Sequence, residues 1–123
     1  SMSVNIGLVD QNMSMITDAV MKRRTLNFEY KGEQRQVDPY GMLSRSGFWY
    51  IIGFDHLRRD QRVFRVDRIE GQVIAGEARA FKTPENFDVA GAVPTEKQNE
   101  FISDLIRYAS SSTKASSAFV KVS

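Results

Sequence analysis

The 123-residue sequence contains no cysteine and a single histidine, His56. A disulfide scaffold and a Cys/His zinc site are therefore excluded by count. No stretch approaches the roughly 20 apolar residues of a membrane-spanning helix, and the charged-then-apolar order of a signal peptide is missing. The expectation is a cytoplasmic protein with no membrane partner. No phosphate-cradling glycine loop, Ser/His/Asp spacing, metal-ligand cluster or clear carboxylate pair stands out, so the sequence implies no enzyme, no metal and no cofactor.

Net charge is also scarce, at +2 overall, but it is not evenly spread. Residues 56–68 hold five arginines against two aspartates and no lysine. A local basic patch of this kind attracts phosphate without the whole chain being basic. With 41% hydrophobic and 26% charged residues, the composition is that of one ordinary domain with a single core.

Helical spacing of Ile16, Ala19 and Val20 predicts an amphipathic helix over 13–24, with Asn12 as N-cap and Lys22, Arg23 and Arg24 at the negative end of the dipole. Leu26–Tyr30 alternates with a period of two and reads as a strand. Lys31-Gly32-Glu33 is a tight turn, and Arg35–Ser44 is a second strand with a bend or bulge at Pro39 and Gly41. Ser46-Gly47 turns into the aromatic strand Phe48–Asp55. A fourth strand is expected over Arg62–Ile69 and a short fifth over Gln72–Ala78, after a turn at Glu70-Gly71. The predicted fold class is mainly β with flanking helices: a small five-stranded Sm-like or SH3-like barrel behind one helix.

Residues 1–12 read as a linker or cloning scar, 13–90 as the domain and 91–109 as a C-terminal helix with a capping box at Thr95-Glu96-Lys97-Gln98. Residues 110–123 begin as a serine-rich linker. Ala118–Val122 alternates as a strand would, with no local pairing partner expected, so it suggests the start of a truncated C-terminal extension or a strand that docks on a partner.

The order Pro39-Tyr40-Gly41-Met42, then Gly47-Phe48-Trp49-Tyr50-Ile51-Ile52-Gly53, then Arg62-Val63-Phe64-Arg65-Val66-Asp67-Arg68-Ile69 resembles the WYL domain, whose eponymous triplet here reads Trp-Tyr-Ile. The resemblance extends back through Ile16, Ala19, Arg24, Phe28 and Tyr30 and forward to Phe81, Pro84 and Phe87. It implies a non-catalytic, ligand-sensing module of bacterial transcriptional regulators, usually placed behind a helix-turn-helix DNA-binding domain, and many such proteins are homodimers. No DNA-reading helix pair occurs in these residues, so a helix-turn-helix domain of the parent chain would lie before Ser1.

The expected partner is single-stranded nucleic acid or a nucleotide-like anionic effector, because planar guanidinium forks bind phosphate bidentately and stack on bases. Candidate ligand-binding residues are Arg62, Arg68, Arg65, His56, Arg58, Tyr40, Ser44, Ser46 and Tyr50. Each has a plainer reading. Arg65 and Asp67, two apart, pair with each other; Arg58 and His56 belong to a solvated turn; Trp49 and Tyr50 face opposite sides, so one of them fills the core. The alternative function is a dimerisation module without its own ligand.

Overall fold

The computed structural model describes residues 2–92 and 119–122, with side chains over 7–89, 91 and 92. A helix, α1 (Met2–Lys22), leads into β1 (Leu26–Tyr30), β2 (Glu33–Arg45), β3 (Phe48–Asp55) and β4 (Asp60–Arg65). A 3-10 turn, Val66–Arg68, then passes the chain to β5 (Ile69–Ala75); α2 (Val89–Ala92) and β6 (Phe119–Val122) complete the described elements. One sheet contains all six strands, in the order β4-β3-β2-β1-β5 with β6 added to β2. The five strands of the main path are antiparallel and follow one N-terminal helix, as the sequence predicts. The barrel is not closed: the path ends at β4 and β5, which do not pair with each other.

The sheet is nonetheless strongly curled. Three strand spacings, about 14 Å in a flat sheet, separate β1 from β4. Yet Phe64 on β4 lies 5.4 Å from the Phe28 ring and 5.1 Å from the Tyr30 ring on β1, both edge-on. These rings join Ile16 and Ala19 of α1 and Met42, Ile51 and Val73 of the strands in the main core. Removal of their apolar surface from water is the principal force that bends the sheet onto the helix.

Two tight hairpins set the register. Lys31 and Gly32 have φ of 52° and 75°, and Ser46 and Gly47 have 52° and 81°. Such paired left-handed residues match the twist of the flanking strands, and they place Tyr30 opposite Glu33 and Arg45 opposite Phe48. The bulge anticipated in β2 is present between Pro39 and Gly41. Because it inserts one residue, it reverses the alternation: Met42 turns to the main core, whereas Asp38 lies on the opposite face. Period-two alternation along an unbroken strand would put Asp38, Tyr40, Met42, Ser44 and Ser46 on one face, and the bulge overturns that expectation. Gly53 faces the bulge, where a Cβ would collide with the Asp38 carbonyl.

Four other boundaries differ from the sequence reading. First, α1 begins at Met2, and Asn12 is buried inside it instead of capping it. Its amide donates to the Gly71 carbonyl and accepts from the Val73 N–H, both at 2.9 Å, and so ties the helix to β5. Second, the helix ends in a left-handed Arg23, φ 55°, with the Arg24 N–H bonded back to the Ala19 carbonyl. Third, β4 stops at Arg65: the residues expected to extend it form the 3-10 turn, which drops Val66 into the core and returns Ile69 to pair with Tyr30. Period-two alternation does not distinguish the two conformations. Fourth, Glu70-Gly71 lies within β5, where Gly71 (φ 74°) accompanies an irregularity in the pairing with β1.

Past β5 the chain runs beside the α1–β1 connection, held by Gly76 N–H to the Thr25 carbonyl and by Arg79 and Ala80 N–H to the Lys22 and Arg23 carbonyls. Phe87 and Val89 then cover Leu43 and Ile52 on the face away from α1, a second small core. The expected C-terminal helix over 91–109 falls almost wholly outside the described residues. The strand at the C-terminus does find a partner within the chain: β6 runs parallel to β2, Phe119 opposite Met42 through Val122 opposite Arg45. No described helix is long and apolar enough to cross a membrane.

Candidate functional site

On the face of β2–β3–β4 turned away from α1, hairpin register aligns Arg45 with Phe48 and, in the next row, Leu43 with Tyr50 and Arg65. Gly41, Ile52 and Val63 form the row beyond. The polar and aromatic residues of this strip lie beside the apolar patch of Leu43, Ile52 and Val89, against which Tyr50 packs. Trp49, one residue earlier, packs against the main core instead.

Arg65 is held on two sides. Its Nε and Nη2 donate to the two oxygens of Asp67 at 2.7 and 2.8 Å. The guanidinium carbon lies 3.8 Å from the centroid of the Phe48 ring, within the range of a cation–π contact. Asp67 holds one edge of the guanidinium and Phe48 covers one side. These hydrogen bonds raise the Arg65 pKa and lower that of Asp67, whose carboxylate is also stabilised by the neighbouring Arg68 charge. A lowered folded-state carboxyl pKa means that the pair's contribution is present above the ordinary carboxylate range and lost as pH falls through the lowered value. Both side chains are partly exposed, so this is an orienting contact more than a source of stability.

The far end of the same face has a different chemistry. Asp38 accepts from Thr25 Oγ1 at 2.8 Å, His56 Nε2 lies 2.9 Å from the same carboxylate oxygen, and His56 packs edge-on against Phe54. Tyr40 sits between Phe81 and Phe87. Burial, and then the nearby Asp38 carboxylate, push its hydroxyl above the ordinary tyrosine range.

The remaining candidates are dispersed. Arg58, in the β3–β4 connection, pairs with Glu33 at 2.9 Å. Arg62 stands opposite Gly53 on the other face of the edge strand β4, and Arg68 ends the 3-10 turn; both are exposed, and neither forms an ion pair with a described residue. Ser44 is buried, and Ser46 lies in the β2–β3 turn. The nine residues thus do not converge on one pocket. Tyr50 and Arg65 share the strip, whereas Arg62 lies on the other face of β4 and Arg68 in the turn that follows it.

Sequence reading passed over Arg45 and Phe48 as site residues, although the signal was available. A two-residue turn at Ser46-Gly47 fixes Arg45 opposite Phe48, and alternation then brings Tyr50 to their side. It also passed over Arg35 and Asp55, whose partnership spans two hairpins and has no local signature: Arg35 Nη1 donates to Asp55 at 2.7 Å in the interior. Among the described residues no cluster of three or more His, Asp or Glu side chains is placed to hold a metal.

A model of the WYL domain family matches residues 11–73. Protein PafB of Mycobacterium leprae is 30% identical over 84 residues, which cover 63% of this chain and 25% of that protein. Protein PafB of Mycobacterium tuberculosis is 30% identical over 88 residues, covering 66% and 26% respectively. The solved structure of proteasome accessory factor B/C (PafBC) of Arthrobacter aurescens superposes with a TM-score of 0.61 at 29% identity, over 66% of this chain and 14% of that one. The chain spans about a quarter of the length of these curated relatives.

Proposed function

The chain belongs to the WYL domain family, and on that premise we propose that it is the non-catalytic, ligand-sensing module of a bacterial transcriptional regulator. Its ligand is single-stranded nucleic acid or a nucleotide-like anion. The observation that carries this reading is the Arg65 guanidinium, clamped by Asp67 and laid on Phe48. A flat, pre-oriented cation beside aromatic rings offers bases a stacking surface at little further ordering cost. Arg62, exposed on β4, and Arg68, exposed at the end of the 3-10 turn that follows it, supply the charge that draws phosphates towards the strip. Arg58 and His56 add to the attraction but are committed to Glu33 and Asp38.

Ligand binding regulates an attached DNA-binding domain of the parent protein only if the two states of the regulator differ in affinity for the ligand. Likeness to PafB and PafBC over a quarter or less of their length supports a module within a longer, cytoplasmic protein. The homodimer belongs to the same proposal.

Fluorescence anisotropy with short single-stranded DNA and RNA at two salt concentrations tests the reading. Arg62→Ala and Arg68→Ala are each expected to weaken binding and to reduce the slope of log affinity against log salt by roughly 0.7 for each phosphate no longer neutralised. A chain that dimerises tightly and shows no salt-dependent binding is instead an interaction module.

A further inference from the structure

Where the β1–β2 and β3–β4 hairpins meet, two guanidinium groups converge on one carboxylate oxygen. Arg35 Nη2 lies 3.2 Å and Arg58 Nη2 2.9 Å from Oε1 of Glu33. Arg35 is anchored from behind: its Nη1 donates to Asp55 at 2.7 Å, and its side chain is only 9% exposed. Asp55 is fully buried, and its second oxygen accepts the Leu57 N–H at 2.9 Å. The guanidinium therefore has little freedom to turn.

In arginine, Nε–H and Nη2–H point from the same edge and form the fork that grips two oxygens of one anion. On Arg35 that edge is half used. Nη2 has the Glu33 oxygen, while Nε is buried with no hydrogen-bond partner. An unpaired buried donor is costly, and the single oxygen Glu33 presents here leaves it unpaired. Glu33 itself is 44% exposed, at the start of β2, and shares its one contacting oxygen between both arginines.

We propose that Arg35 and Arg58 form a phosphoryl-binding site, at which the chain's own Glu33 carboxylate stands in the position of the phosphoryl oxygens and competes with them. A phosphoryl group has three terminal oxygens: two match the Nε/Nη2 fork of Arg35 and the third reaches Arg58. Lys31 and Arg59, exposed on the two adjoining turns, add positive potential, and the exposed Asp60 opposes it. Buried Asp55 is already matched by Arg35. The site is distinct from the Phe48–Arg65 strip, and it depends on the nucleic-acid reading only for one source of the phosphoryl group.

The test is titration of inorganic phosphate into the wild-type chain, Glu33→Gln and Glu33→Gln/Arg58→Ala, followed by amide NMR at Gly32 and Leu57. Glu33 and Arg58 are exposed turn-proximal residues, so dispersed spectra are expected for every variant. Glu33→Gln keeps the shape and removes the competing charge, and is expected to bind phosphate about tenfold more tightly than wild type. The double variant is expected to lose that gain. No gain in Glu33→Gln, or a gain that survives Arg58→Ala, overturns the proposal. Competition against 5′-phosphorylated and 5′-hydroxyl forms of one oligonucleotide separates the sources: a preference for the phosphorylated form assigns a strand end, and equal competition assigns free phosphate. Phosphate binding without any oligonucleotide binding overturns the nucleic-acid reading and leaves this site standing.

Discussion

Replacing Asp55 by asparagine lowers the unfolding free energy by about 3 kcal/mol, a value in the range for breaking one half of a buried ion pair. The carboxylate is fully buried, and it is the only described partner of Arg35 Nη1 and of the Leu57 N–H. Without its charge, the buried Arg35 guanidinium keeps only the partly exposed Glu33 as counter-ion, with its Nε already unpaired. Urea unfolding measures the loss. Asp60→Asn, at an exposed carboxylate five residues later, is the control and is expected to change stability by less than about 0.5 kcal/mol. The double replacement Arg35→Met/Asp55→Leu is expected to recover much of the loss, because an apolar pair of similar volume avoids the desolvation of both charges. A loss below about 1 kcal/mol in Asp55→Asn means that the pair does not hold the two hairpins together.

Phe48→Ala weakens single-stranded oligonucleotide binding about tenfold, the lower part of the range for removing one stacked base. The ring is 38% exposed and lies outside both cores, so unfolding free energy is expected to change by less than about 1 kcal/mol. Phe48→Trp keeps a stacking surface and is expected to retain affinity. Arg65→Ala is expected to match Phe48→Ala, since each removes one half of the same stack. Asp67→Asn separates stacking from charge: it releases the edge of Arg65 but leaves the cation in place. Its affinity is expected to fall less than that of Arg65→Ala, while its salt dependence steepens. Equal affinities for wild type, Phe48→Ala and Arg65→Ala remove the strip from the binding surface.

Much of the fold was legible because its determinants are local. The apolar spacing of Ile16, Ala19 and Val20, the alternation of Leu26–Tyr30 and the Ser46-Gly47 turn each specify one element from adjacent residues. The boundaries that moved were set by tertiary contacts. Asn12 has the side chain of a helix cap, but β5 offers it both a donor and an acceptor, and the helix continues past it. The run Arg62–Ile69 reads as one strand from its Val, Phe and Ile content, yet Asp67 accepts from the Arg65 side chain and the chain turns after Arg65. The bulge at Pro39–Gly41 was foreseen, but its reversal of the strand faces required the register with β3.

The candidate site was legible only in composition. Arginines dominate residues 56–68, as the sequence shows, but the register scatters them: Arg65 lies on the outer face, Arg62 on the opposite face and Arg58 against Glu33. Arg45 and Phe48 come to Arg65 through hairpin geometry, not through sequence proximity. Arg35 and Asp55, 20 residues apart, meet only because β2 pairs with β3.

If the outer face of β2–β3–β4 receives the bases, titrating a short single-stranded oligonucleotide into the isotope-labelled chain will move the amide resonances of that face. The largest shifts are expected at Arg45, Phe48, Tyr50 and Arg65, with smaller ones at Arg62 and Arg68, and none at the exposed α1 residues Val9 and Met21. Shifts concentrated on α1 and β5, or no shifts at oligonucleotide concentrations that saturate binding by anisotropy, would remove the bases from this face.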